Sequence, residues 1–291
     1  MAVERVGVLG GGLMGSGIAE VSAASGVTVV VREVNEEALA AAGARIAASL
    51  ARAVKGGKAT DDTVAETLAR IYFTTNLHDL AGADLVIEAV PEDVELKTAV
   101  LREVAEVVEP HALIASNTSS IPIAELAAVV PNPERVLGLH FFSPVPVMSL
   151  VEVVVALETS PQTVAAGNEY VERIGKFAIE TKDRSGFIVN MLLVPYLMAA
   201  VRMFEEGFAT REAIDEGMKR GCGHPMGPLT LCDMIGIDVI YSVCNELYEE
   251  FKRPEYAPPP LLKRMVAAGR HGRKTGRGFY EYERARAPVA A

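Results

Sequence analysis

Two ionisable residues stand where apolar strands are expected to run. His140 closes the segment Val136-Leu137-Gly138-Leu139-His140, and Glu152 lies twelve residues further on, inside Leu150-Val151-Glu152-Val153-Val154. A carboxylate within an apolar strand is costly unless it has a partner. An imidazole is the economical partner: Glu152 holds His140 in one tautomer and stabilises its protonated form. The chemistry that needs such a pair is proton transfer, such as removal of an alcohol's hydroxyl proton while hydride leaves the same carbon. A core histidine beside an exposed strand glutamate is the competing reading of these two residues taken alone.

A second constellation opens the chain. The apolar run Val6–Leu9 leads into Gly10-Gly11-Gly12-Leu13-Met14-Gly15, an Ala-rich helical pattern, a second apolar run Val27–Val31, and then Glu33. Strand, glycine turn, helix, strand and acid in this order form the dinucleotide-binding pattern. Gly10 permits the tight turn, Gly12 lets backbone approach a pyrophosphate, and Gly15 lets the helix pack on the strand. The N–H groups at the helix start, from Gly11 through Leu13 and Met14, then hold the phosphates. Glu33 falls 18 residues after Gly15, where a carboxylate takes the ribose diol and repels a 2′-phosphate. The expected cofactor is NAD rather than NADP, although Arg32 is of the type that accommodates the extra phosphate.

Two polar segments complete the chemistry. Ser116-Asn117-Thr118-Ser119-Ser120 directly follows an apolar run. Asn117 and Ser119 are therefore expected at a strand's carboxyl edge, in reach of a substrate oxygen and the nicotinamide ribose. A cap on the helix near Pro122 is the ordinary alternative for such a cluster. Asn190 either donates to a substrate carbonyl as an oxyanion-type contact or satisfies backbone at a helix start.

The elements that must position these residues alternate in the βαβ manner up to about residue 185. Strands are predicted at Arg5–Leu9, Val27–Arg32, Ile71–Thr74, Asp84–Ala89, Ala112–Ser116, Arg135–Leu139, Val151–Val155 and Phe177–Glu180, with helices at Asn35–Val54 and Asp93–Val108. The runs near 84, 112 and 135 are continuously apolar, as for strands covered on both faces. From Gly186 onward strand signals stop, and helices are predicted at Phe187–Glu205, Thr210–Lys219, Pro228–Ile235, Val239–Phe251 and Pro260–Ala267. Pro195 removes one hydrogen bond of the first and is expected to kink it. The fold class is thus α/β: a Rossmann-type, mostly parallel sheet domain over 1–185 for the dinucleotide, then an all-helical domain over 186–291 for substrate and dimerisation.

Composition narrows the partners. Half of the 291 residues are hydrophobic, enough for a substantial core. A net charge of −10 argues against nucleic acid. Cys222, Cys232 and Cys244 lack Cys-x-x-Cys spacing, which suggests reduced thiols in the cytoplasm, and Cys222, His224 and Cys232 fit no usual zinc pattern, so no metal is expected. The first strand follows Met1 closely, which leaves no room for a signal or transit peptide, and the apolar stretch at 188–201 is too short and too broken for a membrane span. The apolar helices of the second domain imply a face buried in a second copy, a homodimer.

The blocks GGGLMGSGIA, SNTSSIPI, LHFFSPVPVMSLVEVV, SGFIVNMLLVPYLMAA, HPMGPLTLCDMIGID and KTGRGFYEY, in this order, resemble the short-chain L-3-hydroxyacyl-CoA dehydrogenases over essentially the whole chain. That resemblance implies NAD-dependent interconversion of an L-3-hydroxyacyl-CoA, such as 3-hydroxybutyryl-CoA, with the 3-ketoacyl-CoA. His140 would be the base, Glu152 its orienting partner, and Ser119 and Asn190 the groups on the 3-oxygen. Glu92 and Lys97 correspond to family positions near the nicotinamide half, and Lys274 to a lysine of the tail that approaches the cofactor. Glu33 stands where the family usually has Asp, Ser143 replaces a common Asn, and Ser149 a common Lys. The basic stretch at 45–58, otherwise a solvated helix face, acquires a ligand: Ser49, Arg52, Lys55 and Lys58 would lie near the phosphates of coenzyme A.

Overall fold

Short aliphatic runs punctuated by glycine and polar turns become eight strands: β1 (Arg5–Leu9), β2 (Thr28–Arg32), β3 (Ile71–Thr74), β4 (Leu85–Glu88), β5 (Leu113–Ser116), β6 (Val136–Phe141), β7 (Leu150–Val155) and β8 (Phe177–Lys182). The structure, a computed structural model, describes residues 3–282. The chain divides into two units, Met1–Phe187 and Ile188–Ala291.

In the first unit all eight strands form one sheet in the order β3-β2-β1-β4-β5-β6-β7-β8. Neighbours run parallel except for β6 with β7. The order reverses between β1 and β4, so the crevice beyond their carboxyl ends is where a doubly wound sheet takes its ligand. Period-2 alternation splits the strand side chains between two cores. Val6, Val8, Val29, Val31, Ile87, Leu139 and Val153 fill one. Leu9, Val30, Val86, Ile114, Val136 and Val154 fill the other.

The helices of this unit are α1 (Leu13–Ala24), α2 (Glu36–Lys55), α3 (Asp61–Ala69), α4 (Val94–Val107), α5 (Ile123–Ala127) and α6 (Pro161–Arg173). Asn35 and Asp93 cap α2 and α4 by accepting from the N–H groups of Ala38 and Leu96. The sequence reading anticipates neither α3 nor α6. In α3 only Thr67 is buried, so no apolar stripe marks it. In α6 the glycine at 167 dilutes the periodicity, yet it lets the helix approach the Leu137 side chain closely. Ser160 as cap with Pro161 in the first turn is the signal that identifies α6.

The second unit contains α7 (Val189–Glu205), α8 (Arg211–Cys222), α9 (Pro228–Ile235), α10 (Ile237–Phe251) and α11 (Pro260–Ala267) around Met198, Leu229, Cys232, Cys244, Leu247 and Leu262. The first of these helices begins two residues later than expected, because Phe187 takes a left-handed turn, and it runs on through Pro195. Two buried carboxylates fasten the rest. Asp215 accepts from the Leu229 and Thr230 N–H groups and from the Thr230 and Tyr280 hydroxyls. Asp233 accepts from the Phe279 and Tyr280 N–H groups and the Tyr282 hydroxyl. Burial pushes the Asp233 carboxyl above its ordinary value despite these hydrogen bonds. Among the described residues no helix is long and apolar enough to cross a membrane.

Candidate active site

The glycine turn joins β1 to α1. Gly10 has φ +90°, and a Cβ there would press on the Ala89 carbonyl. A Cβ on Gly15 would collide with the Gly10 carbonyl oxygen, whereas a Cβ on Gly12 would meet nothing within 4 Å. The turn therefore packs tightly on its protein side and stays open at Gly12. No side chain caps the start of α1 at Gly12, Leu13 and Met14. Open backbone at a helix N-terminus fits a pyrophosphate, so these residues suit NAD. Three side chains fix the Gly11 peptide. Its N–H donates to Glu33 Oε1 at 2.6 Å, and its carbonyl accepts from Ser16 Oγ at 2.6 Å and Arg45 Nη1 at 3.1 Å. The extra methylene of Glu33, relative to Asp, lets the carboxylate fold back onto the turn.

At the neighbouring strand ends, Glu88 closes β4 and is fully buried. Its Oε1 accepts from Lys97 Nζ and the Val90 N–H, both at 2.7 Å, and its Oε2 from Ser116 Oγ at 2.6 Å. Lys97, also buried, donates further to the Val90 carbonyl at 3.2 Å and faces Glu92 Oε2 at 3.2 Å. Glu92 Oε1 in turn accepts from Thr118 Oγ1 at 2.5 Å, the Ser119 N–H at 2.9 Å and Ser120 Oγ at 3.1 Å. Burial alone would raise the Glu92 carboxyl; the Lys97 charge and the hydrogen bonds from Thr118, Ser119 and Lys97 outweigh it and hold it below its ordinary value. Lys97 is 1 % exposed, so what it positions is Glu92 and the 116–120 loop.

The Ser/Thr cluster does not cap α5. Asp183, about sixty positions away, accepts from the Ile123 and Ala124 N–H groups at 2.8 and 2.7 Å, while Thr118 Oγ1 accepts from the Ile121 N–H. Ser119 is held by its backbone, with its N–H on Glu92 and its carbonyl accepting from the Gly186 N–H at 3.2 Å. Its hydroxyl lies 3.5 Å from Glu92, a loose contact compared with its neighbours. Asn117 Oδ1 accepts from the Phe141 N–H at 2.9 Å and so ties this loop to the end of β6.

His140 and Glu152 meet across the antiparallel β6–β7 pair, where they are direct register partners. His140 Nδ1 lies 2.6 Å from Glu152 Oε2, and both side chains are buried. A carboxylate only accepts, so Nδ1 donates to it, and in the neutral imidazole this leaves the lone pair on Nε2. Phe142 and Phe187 flank the imidazole, with ring centroids at 4.6 and 5.3 Å.

The carboxyl edge of one sheet thus collects Glu33, the glycine turn, Glu92 with Lys97, Asn117 with Ser119, and His140 with Glu152. Asn190 and Lys274 belong to the second unit. Asn190 is the second residue of α7, and Lys274 Nζ sits 2.6 Å from Asp238. Ser49, Arg52 and Lys55 occupy the last turns of α2, and Lys58 follows in the loop; Ser49 hydrogen-bonds the buried Glu20. The sequence gives no site role to Glu88, Arg45, Asp183 or Phe187. Glu88 carries the same signature as Glu152, a carboxylate in an apolar run, and Arg45 opens the basic stretch at 45–58; Asp183 and Phe187 have no local mark.

A doubly wound sheet with an open glycine turn at its switch point, and a buried histidine–glutamate pair on the same edge, defines an NAD-binding oxidoreductase. The chain belongs to the 3-hydroxyacyl-CoA dehydrogenase family: residues 5–184 match its NAD-binding domain and residues 186–282 its C-terminal domain. It is 52% identical over 283 residues, 97% of this chain and 99% of the relative, to 3-hydroxybutyryl-CoA dehydrogenase of Mycobacterium tuberculosis strain H37Rv. Among solved structures, M. tuberculosis FadB2 superposes with a TM-score of 0.95 at 52% identity, covering 97% of this chain and 100% of that one. (S)-3-hydroxybutyryl-CoA dehydrogenase PaaH1 of Ralstonia eutropha has a TM-score of 0.92 at 46% identity, with the same coverage.

Proposed function

We propose that the protein interconverts L-3-hydroxyacyl-CoA and 3-ketoacyl-CoA thioesters, with 3-hydroxybutyryl-CoA the favoured length and His140 as the acid–base group. The observation that carries the reading is the buried 2.6 Å contact of His140 with Glu152 at the carboxyl edge beside the glycine turn. NAD, when bound, supplies the acceptor and donor of hydride. His140 Nε2 takes the hydroxyl proton in oxidation and returns it in reduction. Glu152 holds Nδ1–H and stabilises the imidazolium that forms. Ser119 and Asn190 donate to the 3-oxygen, so charge developing there meets preset donors. Glu92 and Lys97 keep the Ser119 loop in place, Glu33 and the Gly10–Gly15 turn bind the adenosine half, and Lys274 approaches the cofactor from the tail.

The second unit is read as the substrate and dimerisation domain. Leu192, Phe208 and Val239 are large apolar side chains left exposed on it, which favours a homodimer. Arg52, Lys55 and Lys58 are exposed cations suited, with Ser49, to the phosphates of coenzyme A. Three free thiols, two of them buried, suit a cytoplasmic enzyme.

NADH oxidation with acetoacetyl-CoA tests the substrate, free acetoacetate and NADPH being the comparison arms. Turnover should be at least ~10²-fold faster on the thioester, since a site built for a large polar handle discriminates strongly against its loss. Equal rates on free acetoacetate would remove coenzyme A from the reading, and a preference for NADPH would overturn the role given to Glu33.

A further inference from the structure

Phe187 combines three features that the acid–base reading does not use. Its φ is +47°, a left-handed backbone that a bulky aromatic residue rarely adopts. Its ring is buried, with its centroid 5.3 Å from that of His140. The segment leading to it is fastened at several points: Asp183 accepts two N–H groups from the start of α5, Gly186 donates to the Ser119 carbonyl, and the Phe187 N–H donates to the Arg184 carbonyl at 2.9 Å. Strained backbone persists only where surrounding contacts over-determine it, and such strain clusters at functional sites.

The His140 imidazole needs this support. Its hydrogen bond to Glu152 fixes one nitrogen but leaves the ring free to rock about that contact. Two aromatic rings lie against the imidazole, Phe142 with its centroid at 4.6 Å and Phe187 at 5.3 Å. We propose that Phe187 is a positioning residue for proton transfer, its left-handed backbone setting an aromatic wall against His140 and thereby holding the imidazole in line with Glu152. The same segment grips Ser119 through Gly186, so proton acceptor and oxygen donor share one brace. This inference rests on His140 being the acid–base group.

Single-turnover NADH oxidation by acetoacetyl-CoA in the full-length protein tests it. Phe187→Leu should slow the hydride-transfer phase by ~10–100-fold, the cost of slight misplacement, while the KM for thioester and the Kd for NADH stay within about twofold. Phe187→Tyr keeps the ring and should restore the rate. Phe187→Gly relieves the backbone strain and should melt above Phe187→Ala, yet both should be as slow as each other, so that rate follows the ring and not stability. A Phe187→Leu enzyme at the parental rate overturns the proposal, as does a loss matched by weaker NADH binding or not recovered with tyrosine. His140→Gln run in parallel separates the failures. If that variant turns over normally, the acid–base reading falls; if it is dead while Phe187→Leu is fast, only the positioning role falls.

Discussion

A His140→Gln enzyme is expected to lose ~10²–10⁴-fold in kcat while binding NADH nearly as the parent does, because general acid–base transfer contributes on that scale. Glutamine fills similar space and keeps a hydrogen-bonding group near Glu152 Oε2, so burial and strand pairing survive. What it lacks is a basic nitrogen. The residues proposed to bind the adenosine half, the glycine turn and Glu33, lie on other elements and hold each other in place without His140, so a fluorescence titration with NADH should barely move. Glu152→Gln is the companion variant. It keeps the side chain's shape but removes the charge that stabilises the imidazolium, and an amide accepts or donates to either tautomer. It too should lose most of its turnover with NADH affinity intact. Parental turnover by His140→Gln would sink the assignment outright.

Legibility in the sequence tracked how local the signal was. The glycine turn and the β1–α1–β2 unit could be read because phosphate binding demands a backbone few other residues allow, and the turn shows that backbone at Gly10 and Gly15. The meeting of Glu152 with His140 was readable from burial alone, since a charge in an apolar strand requires a partner. The same rule applies to Glu88, which lies inside the strand predicted at Asp84–Ala89, but it names no partner: the cation that Glu88 meets, Lys97, stands on the following helix. Asp183 and Phe187 escaped for a different reason. Their effects depend on contacts across about 45 to 60 positions of chain, with α5 and with His140, and no short pattern records such pairings. Helix α3 hid because almost nothing on it is buried. Function was therefore legible where chemistry constrains adjacent residues, and illegible where the fold supplies support from afar.

Lys97→Met should be the most destabilising single change at this edge of the sheet. The ammonium and the Glu88 carboxylate are both fully shielded from water, 2.7 Å apart. Removing one partner of a buried pair leaves an uncompensated charge and costs about 3–5 kcal/mol. For a domain of this size that is a fall of about 10 °C in thermal midpoint. The loss should reach the site, because Lys97 also holds Glu92, and Glu92 gathers Thr118, Ser119 and Ser120. The pH dependence has a definite sign. A carboxyl held below its ordinary value stabilises the fold fully above the usual carboxylate range and ceases to do so as pH falls through its folded value. Without Lys97, Glu92 loses the nearest cation, so the acid limb of the stability profile should move toward higher pH. Adding Glu88→Gln to Lys97→Met removes the stranded charge while leaving an amide oxygen to accept from Ser116 or Val90. The double variant should therefore recover at least half of the lost midpoint, since replacing both partners of a buried pair is often close to neutral. A Lys97→Met protein as stable as the parent would mean that the pair is not what holds this edge together; a double variant no better than the single one would place the cost in lost packing rather than in the unpaired Glu88 carboxylate.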